Sequence, residues 1–150
     1  MGIKTFDEYY NRVKKLRKNL YIDGAKVGRD DERLQGQLRI IKETYDCANN
    51  PKYEDVCMAT SHLTGEKINR FTHIHQSKED LLNKQMMTRL LCHRVGGCIM
   101  RCMGIDAMNA LSVVTYEMDQ TLGTDYYPRF EKYLRYWQDN DICSNCAQTD

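Results

Sequence analysis

The segment over residues 106–120 sets the tightest limit on how this chain folds. It carries Ala107, Met108, Ala110, Leu111, Val113, Val114 and Met118, which fall on nearly every side of a helical wheel. A helix that is apolar all round has no face to offer water and is expected to lie buried between layers. The 150 residues suffice for one core to surround it. Yet the apolar fraction is only 41% and the mean hydropathy is −0.68, so that core is modest for the length. Either some of the buried surface belongs to contacts with material outside the chain, or this is simply a hydrophilic helical protein. Composition does not separate the two.

The rest of the chain reads as helices around that segment. Thr5 followed by Glu8 forms a capping box, opening a helix with Tyr9, Val13 and Leu16 at helical spacing. Two short alternating runs flank Asp23-Gly24, predicting a small β-hairpin over residues 20–28. Asp30 or Asp31 caps a second helix over residues 32–47, with Leu34, Leu38, Ile41 and Tyr45 on one face and Asn49-Asn50-Pro51 as its stop. Residues 52–76 read as loop. Ser77, with Asp80 three residues on, starts the longest helical pattern, whose expected stripe is Leu82, Met86, Leu90 or Leu91, and Val95. That stripe continues through Cys98 and Cys102, interrupted by Gly96-Gly97, and Gly104 is the expected break. After a turn at Gly123-Thr124-Asp125, Pro128 suits the first turn of a last helix carrying Phe130, Tyr133, Leu134 and Trp137. The fold class is therefore mostly α, one helical domain over residues 1–150 with a hairpin near residues 20–28.

A formal charge of +1 gives no electrostatic reason to expect a nucleic-acid or membrane partner. No stretch has the apolar length of a membrane span, and no apolar leader opens the chain. A reducing cytoplasm is the expected compartment. Seven cysteines, an odd number, then suggest metal binding, catalysis or core packing more than disulfides.

Cys98 and Cys102 are the informative pair. Four residues apart on a helix, two thiols share a face with about 6 Å of rise between them. That spacing suits neighbouring ligands of an iron–sulfur cluster or two ligands of zinc. Arg94 and Arg101 flank the pair, and cations there lower thiol pKa and offset thiolate charge. Gly96 and Gly97 weaken the helix by roughly 1 kcal/mol each against alanine, which suggests that something bulky approaches the backbone. The plain alternative is that reduced cysteines fill core. Cys143 and Cys146 form a C-x-x-C in the polar tail. With Cys98 and Cys102 they make up a formal four-cysteine zinc set, or they are two exposed tail thiols.

His73 and His75, beside Arg70 and Gln76, line a polar pocket or make surface hydrogen bonds. Arg89 is an anion-binding arginine facing a cleft or a solvated helix charge. Met86, Met87, Met100, Met103, Met108 and Met118 read as core packing. Walker, Rossmann, nucleophile-elbow and HExxH motifs are absent from the sequence.

Several strings bear a further resemblance. They are Lys67-Ile68-Asn69-Arg70-Phe71, His75-Gln76-Ser77, Cys98-Ile99-Met100-Arg101-Cys102-Met103-Gly104-Ile105-Asp106-Ala107 and Thr115-Tyr116-Glu117-Met118-Asp119-Gln120. Through them the chain resembles the N-terminal region of the 4-hydroxybutyryl-CoA dehydratases/vinylacetyl-CoA isomerases. These form a branch of the flavin-dependent 4-hydroxyphenylacetate 3-hydroxylase family, whose fold resembles acyl-CoA dehydrogenases. The resemblance runs almost from Phe6 to Asp150, and the cysteine pair marks the dehydratase branch.

The resemblance implies FAD and a [4Fe–4S] cluster in a longer enzyme, with Cys98 and Cys102 as two cluster ligands. A third cysteine and a histidine would come from a later domain. It implies that FAD binding begins at Gln148-Thr149-Asp150, and that Arg89 and Met100 lie near the substrate–cofactor cleft. The implied reaction is radical dehydration of an acyl-CoA substrate, with flavin taking one electron and the cluster acting as Lewis acid. The implied partners are the middle and C-terminal domains and further copies in a homo-oligomer. The isolated chain is expected to be inactive. Two other readings stay open: a flavin-dependent monooxygenase domain, and a stand-alone helical zinc-binding or interaction module.

Overall fold

The computed structural model describes residues 3–146. Helix α1 spans Phe6–Lys14, opened by the expected capping box between Thr5 and Glu8. Strands β1 (Leu20–Ile22) and β2 (Ala25–Val27) pair antiparallel, Leu20 opposite Val27. Asp23 and Gly24 both have positive φ, the requirement of the tightest hairpin turn. A 3-10 turn capped by Asp31 leads into α2 (Gln35–Ala48), which buries Leu38, Ile41 and Tyr45.

Residues 52–76 depart from the expected loop. They contain a short helix, α3 (Glu54–Cys57), and a second hairpin, β3 (Met58–Thr60) with β4 (Lys67–Asn69). Arg70 stabilises this region from within. Its buried guanidinium donates to the carbonyls of Asp55, Val56 and Met58. Those carbonyls close a helix too short to satisfy its own end.

Helix α4 (Lys78–Val95) begins at Ser77, whose hydroxyl accepts from the Asp80 N–H. Its buried stripe is Met87 and Leu91, not the expected register: Leu82 and Met86 are exposed. The helix stops at Gly96, a left-handed C-cap, and α5 (Cys102–Leu122) starts six residues later. Gly104, the expected break, therefore lies inside α5. Helix α6 (Tyr126–Asp139) follows Gly123, and Pro128 sits in its first turn. The N-terminus of α6 is capped from α5: Asp119 accepts from the N–H groups of Tyr126 and Tyr127 and from the Thr124 hydroxyl.

Two apolar clusters hold these elements together. Cys47, Ala48, Cys57, Phe71, Met87, Leu91, Ile99 and Ile105 join α2, α3 and α4 to the start of α5. Ile74, Met108, Phe130, Leu134 and Trp137 join α5 to α6. The expectation that residues 106–120 lie buried on all sides is not met within these described residues. Helix α5 buries Gly104, Ile105 and Met108, whereas Leu111, Val113, Val114 and Leu122 are exposed. No described helix is long and apolar enough to cross a membrane.

Candidate functional site

Cys98 and Cys102 do come together, but not on one helix. Gly96 ends α4 by taking φ +75°, and its N–H bonds to the Cys92 carbonyl. A Cβ at Gly96 or Gly97 would meet no described atom within 4 Å, and the left-handed conformation of Gly96 is what reverses the chain here. Through residues 98–102 the side chains alternate. Ile99 and Arg101 turn inward, 1% and 2% exposed, while Cys98 is exposed and Met100 and Cys102 are half-buried. Alternation, not helical spacing, presents the two thiols on one side.

The thiols interact closely. Burial pushes the Cys102 thiol up and the Cys98 sulfur adds to this, opposed by N–H groups at the start of α5, those of Met103 and Cys102 itself. The Met100 N–H approaches Cys98 Sγ at 3.4 Å. Met100 holds φ +60°, an uncommon conformation for an L side chain and a local strain that the surrounding packing must sustain. Backbone donors aimed at sulfur suit thiolate ligands of a soft metal centre.

The expected charge compensation by arginine is corrected. Arg94 bonds to Glu43 at 2.7 Å and lies over the Tyr53 ring. Arg101 points into the core, because the helix break at Gly96 reverses the side on which it emerges. There its guanidinium meets Asp141 at 2.8 Å and donates to Thr44 Oγ1 and the Ile142 carbonyl. The Tyr45 and Phe71 rings lie against it at 4.7 and 5.0 Å. Asn69 donates to the other oxygen of Asp141. This buried knot ties the cysteine loop to β4, α2 and the end of α6.

Nor is a four-cysteine zinc set assembled. Among the described residues no three His, Cys, Asp or Glu groups converge on a metal position. Cys143 packs beside Tyr9 and Arg101, burial pushing its thiol up, so it is not an exposed tail thiol either. Cys146 is half-buried. Arg89 is exposed on α4 and shares an open concavity with Cys92, His93, Gly96 and Gly97. It also borders a second concavity with Leu82 and Met86. Gln148, Thr149 and Asp150 lie outside the described residues.

The histidines form a separate cluster. His73 is buried, its Nε2 3.3 Å from Asp80 Oδ1 but not aimed at it, so neither ring nitrogen has a hydrogen-bond partner in the structure. Asn109 clamps the segment at both residues, accepting from the His75 N–H and donating to the His73 carbonyl. Lys84 and Asp106 pair at 2.8 Å near His75. Sequence reasoning gave Asp80 only a capping role and missed Lys84, Asp106 and Asn109, which come together only where α4 and the residue 73–75 segment meet α5.

Burial holds His73 at about 4, against Asp80, which favours its charged form, and with Arg70, His75 and His62 opposing it. The unfolded chain then binds the proton first. Stability is expected to fall as pH drops from about 6.5 towards 4, by at most about 1.4 kcal/mol per pH unit for one proton. Urea midpoints measured between pH 7.5 and 5 check this. His73→Gln should flatten the dependence, and an unchanged slope in that variant rules the assignment out.

Comparison with known proteins adds the following. The family described as 4-hydroxyphenylacetate 3-hydroxylase N terminal matches residues 5–150. The 4-hydroxybutyryl-CoA dehydratase/vinylacetyl-CoA-Δ-isomerase of Clostridium aminobutyricum is 38% identical over 150 residues, which are 99% of this chain and 31% of that protein. The oxygen-tolerant archaeal 4-hydroxybutyryl-CoA dehydratase from N. maritimus superposes with TM-score 0.88 at 35% identity, over 94% of this chain and 28% of that one. The oxygenase component of 4-hydroxyphenylacetate 3-monooxygenase, solved with FAD, shares the fold alone, with TM-score 0.68 and 22% identity over 93% of this chain and 29% of that one. The chain spans less than a third of the length of these relatives.

Proposed function

Because the chain belongs to the 4-hydroxyphenylacetate 3-hydroxylase N-terminal family, we propose that it is the N-terminal helical domain of a cytoplasmic FAD- and [4Fe–4S]-dependent 4-hydroxybutyryl-CoA dehydratase/vinylacetyl-CoA isomerase. The observation that carries the reading is the joint presentation of Cys98 and Cys102, with N–H groups directed at both sulfurs, in a chain similar in sequence to one dehydratase and in fold to another.

Cys98 and Cys102 would hold one side of the cluster. The remaining ligands would come from the rest of the enzyme. When bound, the cluster supplies a Lewis acid for the departing hydroxyl and the flavin supplies one-electron chemistry. The residues of this chain have simpler tasks. Ile99 and Arg101 hold the loop down, and the N–H groups of Met100 and Met103 stabilise thiolate charge. Arg89 stands at the mouth of two concavities, suited to the anionic part of an acyl-CoA. Gln148, Thr149 and Asp150 begin the flavin site. With an incomplete ligand set and flavin site, the isolated chain does not turn over.

Anaerobic iron–sulfur reconstitution is the test, on the isolated chain and on the chain co-expressed with the part of the Clostridium aminobutyricum enzyme that follows the matched segment. The isolated chain should hold no stable cluster, and the assembled protein should hold one that Cys98→Ser/Cys102→Ser abolishes. A cluster retained by the double variant, or turnover by the isolated chain, refutes the proposal.

A further inference from the structure

Cys47 lies in the last turn of α2, and Cys57 is the final residue of α3, ten residues further along the chain. Each is 1% exposed, and the two thiols hydrogen-bond to each other. A lone buried cysteine is ordinary core filling. Here two helices bring two sulfurs face to face inside one apolar cluster, among Ala48, Phe71, Met87 and Leu91. On one side the pair comes close to solvent. Glu43 Oε2 lies 3.9 Å from Cys47 Sγ, and Glu43 and Arg94 line an open concavity at the surface.

We propose that Cys47 and Cys57 are a redox-sensitive latch: a peroxide closes them into a disulfide that ties the end of α2 to α3, and a dithiol reopens it. The step balances on two thiols and one peroxide. The Cys47 sulfur attacks a peroxide oxygen, becomes a sulfenic acid and releases one water. The Cys57 sulfur then attacks the sulfenic sulfur, and its proton leaves with the displaced hydroxide as a second water. The pair gives up two electrons, and the peroxide is reduced. The order follows from position, since Cys47 is the one beside Glu43 and the concavity. Burial pushes both thiols up, Cys57 to about 12, while the Arg94 charge opposes this at Cys47. Raised thiols react slowly, so the latch answers sustained oxidation and not a brief exposure.

The place of the bond gives it an effect. Helix α3 has four residues, and its end is held by the bonds from Arg70 to backbone carbonyls. A covalent tie to α2 holds it through any local opening of those bonds. Ile99 belongs to the same apolar cluster, so the tie also firms the floor beneath residues 98–102.

The test treats the purified chain with hydrogen peroxide, quenches with acid, unfolds it, alkylates the remaining thiols and maps the tryptic peptides by mass spectrometry. Trypsin places Cys47 in residues 43–52 and Cys57 in residues 53–67, so a disulfide between them joins two separate peptides. The joined pair should appear after peroxide and vanish after dithiothreitol. In a Cys98→Ser/Cys102→Ser background, which keeps the loop thiols out, the melting temperature should rise by roughly 5–10 °C on oxidation and return on reduction. Adding Cys57→Ala to that background should abolish the rise. Should that variant fail to fold, the peptide map of the wild-type chain still decides. The proposal is overturned if peroxide that oxidises Cys98 leaves Cys47 and Cys57 as free thiols. It is equally overturned if the joined peptides form only in urea, or form without a rise in melting temperature.

Discussion

Arg101→Met should destabilise the chain by about 3–5 kcal/mol, the usual loss when one partner of a buried ion pair is removed. The reason is what stays behind. Asp141 is 1% exposed, and without the guanidinium its carboxylate keeps only the Asn69 amide as a side-chain partner. Thr44 Oγ1 and the Ile142 carbonyl lose a charged donor, and the Tyr45 and Phe71 rings lose the cation between them. For a chain of this size the melting temperature should drop by on the order of 10 °C. Urea unfolding of Arg101→Met, Asp141→Leu and the double variant measures the coupling. The double variant should be less destabilised than the sum of the singles, since an apolar pair of similar volume leaves no stranded charge. A loss below about 1 kcal/mol in Arg101→Met would show that the knot is not what holds the cysteine loop.

Gly104→Ala should also destabilise, although alanine is the better helix former by roughly 1 kcal/mol. A Cβ at this position would stand 2.3 Å from the Ser144 carbonyl oxygen and 2.7 Å from its carbon. Both are backbone atoms, so no rotamer change relieves the contact. Overpacking of this kind costs about 1–3 kcal/mol or displaces the offending segment. Displacement here breaks the bond from Trp137 Nε1 to Ser144 Oγ. Trp137 is the sole tryptophan, so its emission reports the event directly. Gly36→Ala is the internal control. It lies in α2 with nothing within 4 Å of the new methyl group, and should stabilise by roughly 1 kcal/mol. If both variants move the same way, the close approach of Ser144 to α5 is wrong.

The sequence disclosed elements whose instructions are local. Thr5 with Glu8, Asp23 with Gly24, and Ser77 with Asp80 each act within four residues, and each does what its chemistry predicts. The second hairpin was hidden because its strands are three residues long and depend on Arg70, whose three carbonyl partners lie 12 to 15 residues away. The register of α4 was ambiguous for another reason. Leu81, Leu82, Met86, Met87, Leu90 and Leu91 offer two apolar faces, and only packing against α2 and α3 selects Met87 and Leu91.

The candidate site was legible in its residues and not in its geometry. Cys98 and Cys102 stand out by spacing, but helical continuity between them was the wrong premise. The correction was present in the letters: a Gly-Gly pair after His93 and Arg94 is a helix C-terminus. The inward turn of Arg101 had no such marker, since arginine is rarely so buried without a partner, and Asp141 is 40 residues distant.

The alternation along residues 98–102 has a consequence for how this loop tolerates change. Ile99 and Arg101 are seated, and Cys98, Met100 and Cys102, which alternate with them, are presented. Such a segment behaves like a ratchet with two notches. Its exposed teeth are open to exchange, but adding or removing one residue advances the strip by half a period. A thiol would then enter the slot built for a guanidinium, and a guanidinium would stand where sulfur is needed. What the loop must keep is its count.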